Sequence, residues 1–234
     1  MEKLQFKIEN TPAVIYGEAS DKVYLFIHGK MGYKEEAEAF SEIVCPMGYQ
    51  VLGIDLPGHG ERKNETDSFV PWKIVPELET VLSYAAVNWR NISVRANSIG
   101  AWFCMLAYAD EKFEKCLFVS PVLDMVKLIE NMMKWASVTE DELRQKKTIA
   151  TDFGETLSWD YYQYAKSHLI AVGTSPTSIL YAEKDNLTDY VTVRDFADKF
   201  HCNLAVMKDG EHWFHTPEQL HVLKQWESEN CLCK

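Results

Sequence analysis

The sequence predicts an α/β domain built on a mostly parallel sheet, and three observations carry that expectation. Solidly apolar runs such as Val23 to His28 recur along the chain, as strands buried on both faces of a parallel sheet require. Between them lie stretches with the spacing of amphipathic helices, for example Ile74, Leu78, Val81, Leu82 and Ala85. The segment from Asn91 alternates like a strand and turns at Ser98 into an apolar run, Ile99 to Ala107, that reads as a helix. A chain of 234 residues, 47% of them apolar, can bury one large core and is an ordinary length for one such domain.

Taken in order, Lys3 to Glu9 and Ala13 to Gly17 read as two short strands around the turn signal Asn10-Thr11-Pro12, an antiparallel hairpin at one sheet edge. The strand Val23 to His28 stops at Gly29-Lys30-Met31-Gly32, a turn whose N–H groups can point into a cavity at the strand's C-terminal end. A helix follows from Glu35 to Cys45, then a strand from Gln50 to Asp55 and the loop Leu56 to Arg62. Asn64 to Pro71 reads as surface loop, and Trp72 to Asn88 as the helix that crosses to the Ser98 strand. Arg95 in that strand is a charge that must be paired or reach solvent. After the strand Lys115 to Ser120 the alternation breaks. Val122 to Ile170 reads as helical and outside the sheet rhythm, with Met125, Leu128, Ile129, Met132 and Ala136 along one apolar face. Ser178 to Glu183 is a strand ending in the turn Lys184-Asp185-Asn186. A helix from Tyr190 to Phe200, a last strand from Asn203 to Met207, the turn Asp209-Gly210-Glu211-His212 and a helix from Pro217 to Glu229 complete the chain.

The junction at Ser98 has the form of an elbow. A sharp strand-to-helix turn holds a hydroxyl clear of the backbone, demands a positive φ there, and needs small residues two positions to either side, which Ala96 and Gly100 supply. His28-Gly29, then Asp55-Leu56-Pro57-Gly58-His59-Gly60, the elbow, and finally Asp185 and His212, each after a strand, resemble the α/β-hydrolase family in order and approximate spacing. Ala96 departs from that family's usual glycine. The resemblance covers nearly the whole chain outside 122–170. It implies the α/β-hydrolase fold, a mostly parallel eight-stranded sheet flanked by helices, as a single domain over 1–234 with 122–170 as a helical cap inserted in it. It also implies a nucleophile at Ser98, a base at His212 and an acid at Asp185, with the backbone N–H groups of Lys30 and Ile99 as the oxyanion hole. Asp124 stands where some members of the family place the acid, Asp189 lies close to Asp185, and His215 lies close to His212. Asp55 and His59 fall in a segment that is a structural turn in that family.

The implied activity is that of a serine hydrolase cleaving small to medium carboxylic esters, without metal or cofactor. A thioesterase, acyltransferase or peptidase would use the same residues, and the scaffold also serves non-catalytic ligand-binding relatives. Met132 and Trp135 are candidate substrate-binding residues of the cap, since methionine suits an adaptable apolar wall; the same spacing also suits plain core. Composition narrows the partners. With 24 basic against 35 acidic residues and a net charge of −11, nucleic acid and anionic lipid surfaces are disfavoured, as are large polyanionic substrates. No apolar run approaches the ~20 residues of a membrane span, and the first residues lack the apolar core of a signal peptide, so a cytoplasmic protein is expected. Six cysteines, at 45, 104, 116, 202, 231 and 233, lack the spacing of a zinc site and read as reduced structural thiols, with Cys231 and Cys233 the two able to oxidise or bind metal.

Overall fold

The computed structural model describes residues 2–231, so Cys233 lies outside the described residues. Residues at alternate positions of each central strand serve two cores, one on each face of the sheet. In β3 (Lys22–Ile27), Val23, Leu25 and Ile27 enter one core while Tyr24 and Phe26 enter the other. The other strands of the same sheet are β1 (Lys3–Ile8), β2 (Thr11–Tyr16), β4 (Gln50–Ile54), β5 (Asn91–Asn97), β6 (Cys116–Val119), β9 (Thr177–Ala182) and β10 (Asn203–Met207). Together they form an eight-stranded sheet in the order β1-β2-β4-β3-β5-β6-β9-β10. Within this sheet, among the described residues, the β1–β2 and β2–β4 pairs are antiparallel and the others parallel.

Helices cover both faces, as a parallel sheet demands. α2 (Pro71–Asn88), α3 (Ser98–Ala107) and α7 (Tyr190–Phe200) bury Leu78, Phe103 and Val193 in the larger core. α1 (Ala37–Val44) and α8 (Pro217–Asn230) close the other face with Phe40, Val44 and Trp226. Between β6 and β9 the chain leaves the sheet and forms α4 (Met125–Trp135), α5 (Glu140–Lys146) and α6 (Trp159–Ser167). This stretch is not wholly helical: β7 (Thr148–Ala150) and β8 (Thr156–Ser158) pair as an antiparallel hairpin. The first hairpin also turns earlier than its turn signal suggests, at Glu9-Asn10, with Pro12 inside β2 opposite Lys7. Pro12 lies one residue outside the register with β4, so its missing N–H breaks no bond there, and its carbonyl accepts the Asp55 N–H at 3.0 Å. Among the described residues no helix is long and apolar enough to cross a membrane.

Arg95 finds its partner in the last helix. Its guanidinium lies 2.7 Å from Glu227 Oε1, with side chains only 3% and 6% exposed, and packs over the rings of Phe26 and Phe40. Burial pushes the Glu227 carboxyl up and Arg95 pulls it back. Removing one member of such a pair strands the other in the core. Glu227→Ala should therefore cost about 3–5 kcal/mol of unfolding free energy, measured by urea denaturation. The double variant Arg95→Met/Glu227→Leu should recover most of that loss.

Candidate active site

The strand order reverses at β3, whose successor β4 lies on one side while β5 lies on the other. Such a switch point opens a crevice beyond the C-terminal strand ends, the usual place for a site in an open α/β sheet. Lys30 follows β3 and Ser98 follows β5 at that edge. Ser98 has φ 49°, the left-handed conformation that a strand-to-helix elbow imposes. Gly100 packs against the end of β3, where a Cβ would overlap the His28 carbonyl oxygen, so no larger residue fits. Ala96 is fully buried in the larger core.

Three side chains from three strand ends meet here. Ser98 Oγ lies 2.8 Å from His212 Nε2. His212 Nδ1 lies 2.7 Å from Asp185 Oδ2, and the Asp185 side chain has no solvent exposure. The other carboxylate oxygen accepts the N–H groups of Leu187 at 2.8 Å and Thr188 at 3.0 Å, which fixes the carboxylate in place. A carboxylate accepts only, so His212 carries its proton on Nδ1 and leaves Nε2 free to take one from Ser98. Asp124 and Asp189 are engaged elsewhere as helix caps, accepting the Lys127 and Thr192 N–H groups. Lys127 beside Asp189 holds that carboxyl down at about 2. His215 stacks on Trp213 instead of reaching Ser98.

No family model matches the chain, and no curated protein matches its sequence. Solved structures match its shape. Est1E from Butyrivibrio proteoclasticus, determined with ferulic acid bound, is 18% identical, with 97% of this chain and 96% of that one covered and a TM-score of 0.74. Alpha/beta hydrolase domain-containing protein 10 from mouse is 14% identical, with 98% of each chain covered and a TM-score of 0.77. A thioesterase domain from the curacin biosynthetic pathway is 16% identical over 97% of this chain and 99% of that one, with a TM-score of 0.60. The chain has the α/β-hydrolase fold.

Two backbone N–H groups in this α/β-hydrolase fold border Ser98. Ile99 N–H belongs to the first turn of α3, where no intrahelical acceptor exists. Lys30 N–H follows Gly29, which abuts the Ser98 side chain closely enough that a Cβ there would stand 3.2 Å from Ser98 Cβ. Among the described residues neither N–H donates to another backbone group. The turn beneath is braced by Asp55, whose carboxylate accepts Lys34 N–H at 2.8 Å, Lys34 Nζ at 3.1 Å and Glu61 N–H at 3.1 Å. Among the described residues no three His, Cys, Asp or Glu side chains cluster to hold a metal.

The 122–170 stretch touches this region at three points. Val122 N–H donates to the Ser98 carbonyl at 3.1 Å, Tyr161 stacks on Trp102 one turn along α3, and Lys30 pairs with Glu155 in the β7–β8 loop. Nothing local in the sequence marks Glu155. The apolar stripe of α4 divides: Met125, Leu128, Ile129 and Met133 are buried in the larger core, and Met132 packs half-buried against it. Trp135 is 53% exposed and meets Phe153 edge to face at 6.0 Å. Neither Met132 nor Trp135 shares a hydrogen bond or ring contact with Ser98 or His212 among the described residues.

His28, at the end of β3, is buried, and burial pushes its imidazole down to about 4 from an ordinary 6.5. Between those values the unfolded chain binds a proton that the folded chain refuses, so stability falls as pH drops through that window. The loss attributable to His28 is about 3 kcal/mol between about pH 7 and about pH 4. Denaturant titrations at both pH values should show a correspondingly smaller pH-dependent loss in His28→Asn, and equal losses in the two proteins would contradict this.

Proposed function

We propose that the protein is a serine hydrolase that cleaves small to medium carboxylic esters through an acyl-enzyme on Ser98. The observation that carries this reading is the continuous hydrogen-bonded chain from Ser98 Oγ through His212 to Asp185, at 2.8 and 2.7 Å, beside two backbone N–H groups without backbone acceptors among the described residues. Ser98 Oγ attacks the ester carbonyl carbon while its proton passes to His212 Nε2, and Asp185 stabilises the resulting imidazolium. Charge gathers on the former carbonyl oxygen, where the N–H groups of Ile99 and Lys30 and the positive end of α3 receive it. The intermediate collapses as His212 passes the proton to the departing alkoxide. Water then attacks the acyl-serine with His212 as base, which frees the acid and restores Ser98.

In this reading the 122–170 stretch is a cap over the site, and its exposed Trp135 and Phe153, tied to the Lys30 turn through Glu155, receive the apolar part of the ester. Met132 shapes that wall from beneath. An aromatic or medium acyl group suits such a surface, and selectivity should be gradual, because one methylene in an apolar pocket changes binding by about 1–3 kcal/mol. The likeness to a thioesterase domain favours a second reading in which the same residues cleave a thioester. A panel of chromogenic esters, thioesters and amides, including a hydroxycinnamate ester, assayed on wild type and Ser98→Ala, tests both. Ester turnover that depends on Ser98 supports the first reading; Ser98-dependent turnover confined to thioesters supports the second; turnover indifferent to Ser98 contradicts both.

A further inference from the structure

Two imidazoles outside the Ser98–His212–Asp185 chain hold the turn that carries Lys30. His28 Nδ1 lies 2.7 Å from the Gly29 carbonyl oxygen, and its Nε2 lies 3.1 Å from Leu56 N–H. His59 Nδ1 lies 2.8 Å from the Pro57 carbonyl oxygen, and its Nε2 lies 2.9 Å from Met31 N–H. A carbonyl only accepts and an N–H only donates, so both rings are neutral, protonated on Nδ1 and accepting at Nε2. The rings pack 5.1 Å apart, and His59 rests on Phe69 at 4.6 Å.

The geometry of the peptide bond turns these contacts into a positioning device. Gly29 C=O and Lys30 N–H belong to one trans peptide plane, so fixing the carbonyl fixes the N–H in the opposite direction. Met31 N–H belongs to the next plane, with the Lys30 carbonyl. Two successive planes are thus held, one by each histidine, with the Lys30 N–H between the anchors. Met31 needs such an anchor: its φ of 64° is a conformation that a non-glycine residue keeps only when its surroundings fix it, and its side chain is 87% exposed.

We propose that His59 is a positioning residue for the oxyanion hole, its unprotonated Nε2 holding Met31 N–H so that Lys30 N–H stays directed at the substrate oxygen. This rests on the serine hydrolase reading above. His28 plays the matching part from the other side, but with no solvent exposure, directly after β3, it is the poorer one to vary. Protonating His59 would place a second N–H against Met31 N–H and release the turn. Burial is the main force keeping the ring neutral; the hydrogen bond to the Pro57 carbonyl opposes it, the Lys30 ammonium acts with it, and the Asp55 carboxylate opposes it more weakly.

The test uses phosphonylation of Ser98 by a fluorophosphonate and turnover of p-nitrophenyl acetate from about pH 5 to about pH 9, with circular dichroism confirming the fold at each pH. His59→Phe keeps a ring against His28 and Phe69 but loses the acceptor. It should lower kcat about 10- to 100-fold with KM changed by less than about twofold, as expected for a misaimed transition-state donor. His59→Gln places an amide oxygen near the Nε2 position and does not titrate. It should keep kcat within about threefold of wild type at about pH 8. On the acid side wild-type kcat/KM should fall more steeply than that of His59→Gln, because protonating His59 releases the turn and the glutamine amide takes up no such proton. A folded His59→Phe with wild-type kcat, or an acid limb unchanged in His59→Gln, would overturn the proposal. Should either variant fail to fold, imidazole ¹⁵N spectra of the wild type decide: an Nδ1–H tautomer with Nε2 bonded to Met31 N–H supports the proposal, and an Nε2–H or doubly protonated ring at neutral pH overturns it. A wild type that neither turns over the ester nor is labelled at Ser98 overturns the underlying reading, and the proposal with it, before any variant is made.

Discussion

Replacing Ser98 with alanine should lower ester turnover by about 10⁴- to 10⁶-fold, the loss that follows removal of a nucleophile whose partners remain in place. The fold should not change. Serine and alanine share a Cβ, so the left-handed φ of 49° is no harder for one than for the other. The hydroxyl's hydrogen bond runs to His212, and the backbone bond from Val122 N–H to the Ser98 carbonyl survives the substitution. Thermal melting of the two proteins should therefore coincide closely. A Ser98→Ala protein with unchanged melting and unchanged turnover would remove Ser98 from the chemistry.

Asp185→Asn should lower kcat by about 10⁴-fold with little loss of stability, because the amide inverts one hydrogen bond while keeping the others. The asparagine oxygen can still accept the Leu187 and Thr188 N–H groups, now made by Asp185 Oδ1 at 2.8 and 3.0 Å. Its NH₂ then replaces Oδ2 and can only donate toward His212 Nδ1. The imidazole is driven to carry its proton on Nε2, where it can no longer take one from Ser98. Asp124→Asn and Asp189→Asn serve as the contrast, since those carboxylates cap α4 and α7 and neither reaches His212. Each should stay within about tenfold of wild type. Steady-state kinetics on the three variants checks the assignment, and a large loss in Asp124→Asn with none in Asp185→Asn would transfer the acid's role.

The legible parts of the fold were those where one residue type repeats with one period. The central strands show as apolar runs because the sheet is covered on both faces, and α7 and β10 occupy the spans 190–200 and 203–207 that the sequence marks. Of the three side chains singled out by order and elbow, His212 lies within hydrogen-bonding reach of both Ser98 and Asp185. Short or non-local features were not legible. The β7–β8 hairpin has three-residue strands, too few for alternation to register, and it sits within a stretch read as helical. Arg95 and Glu227 are separated by 132 positions, so no spacing announces their pairing. Methionines of α4 share a helical face whether that face meets core or ligand, and packing alone shows Met125 and Met133 to be buried while Trp135 stays exposed. The sequence puts His59 in a structural turn, and the 2.9 Å contact to Met31 N–H reveals what that turn supports.

Whether Ser98 is a nucleophile activated by His212 is decided by exposing the folded protein to a fluorophosphonate and mapping the adduct by peptide mass spectrometry. A single adduct is expected, on the peptide containing Ser98, lost in Ser98→Ala and strongly slowed in Asp185→Asn. A folded wild-type protein that stays unmodified, or one labelled equally well when Ser98 is alanine, would contradict it.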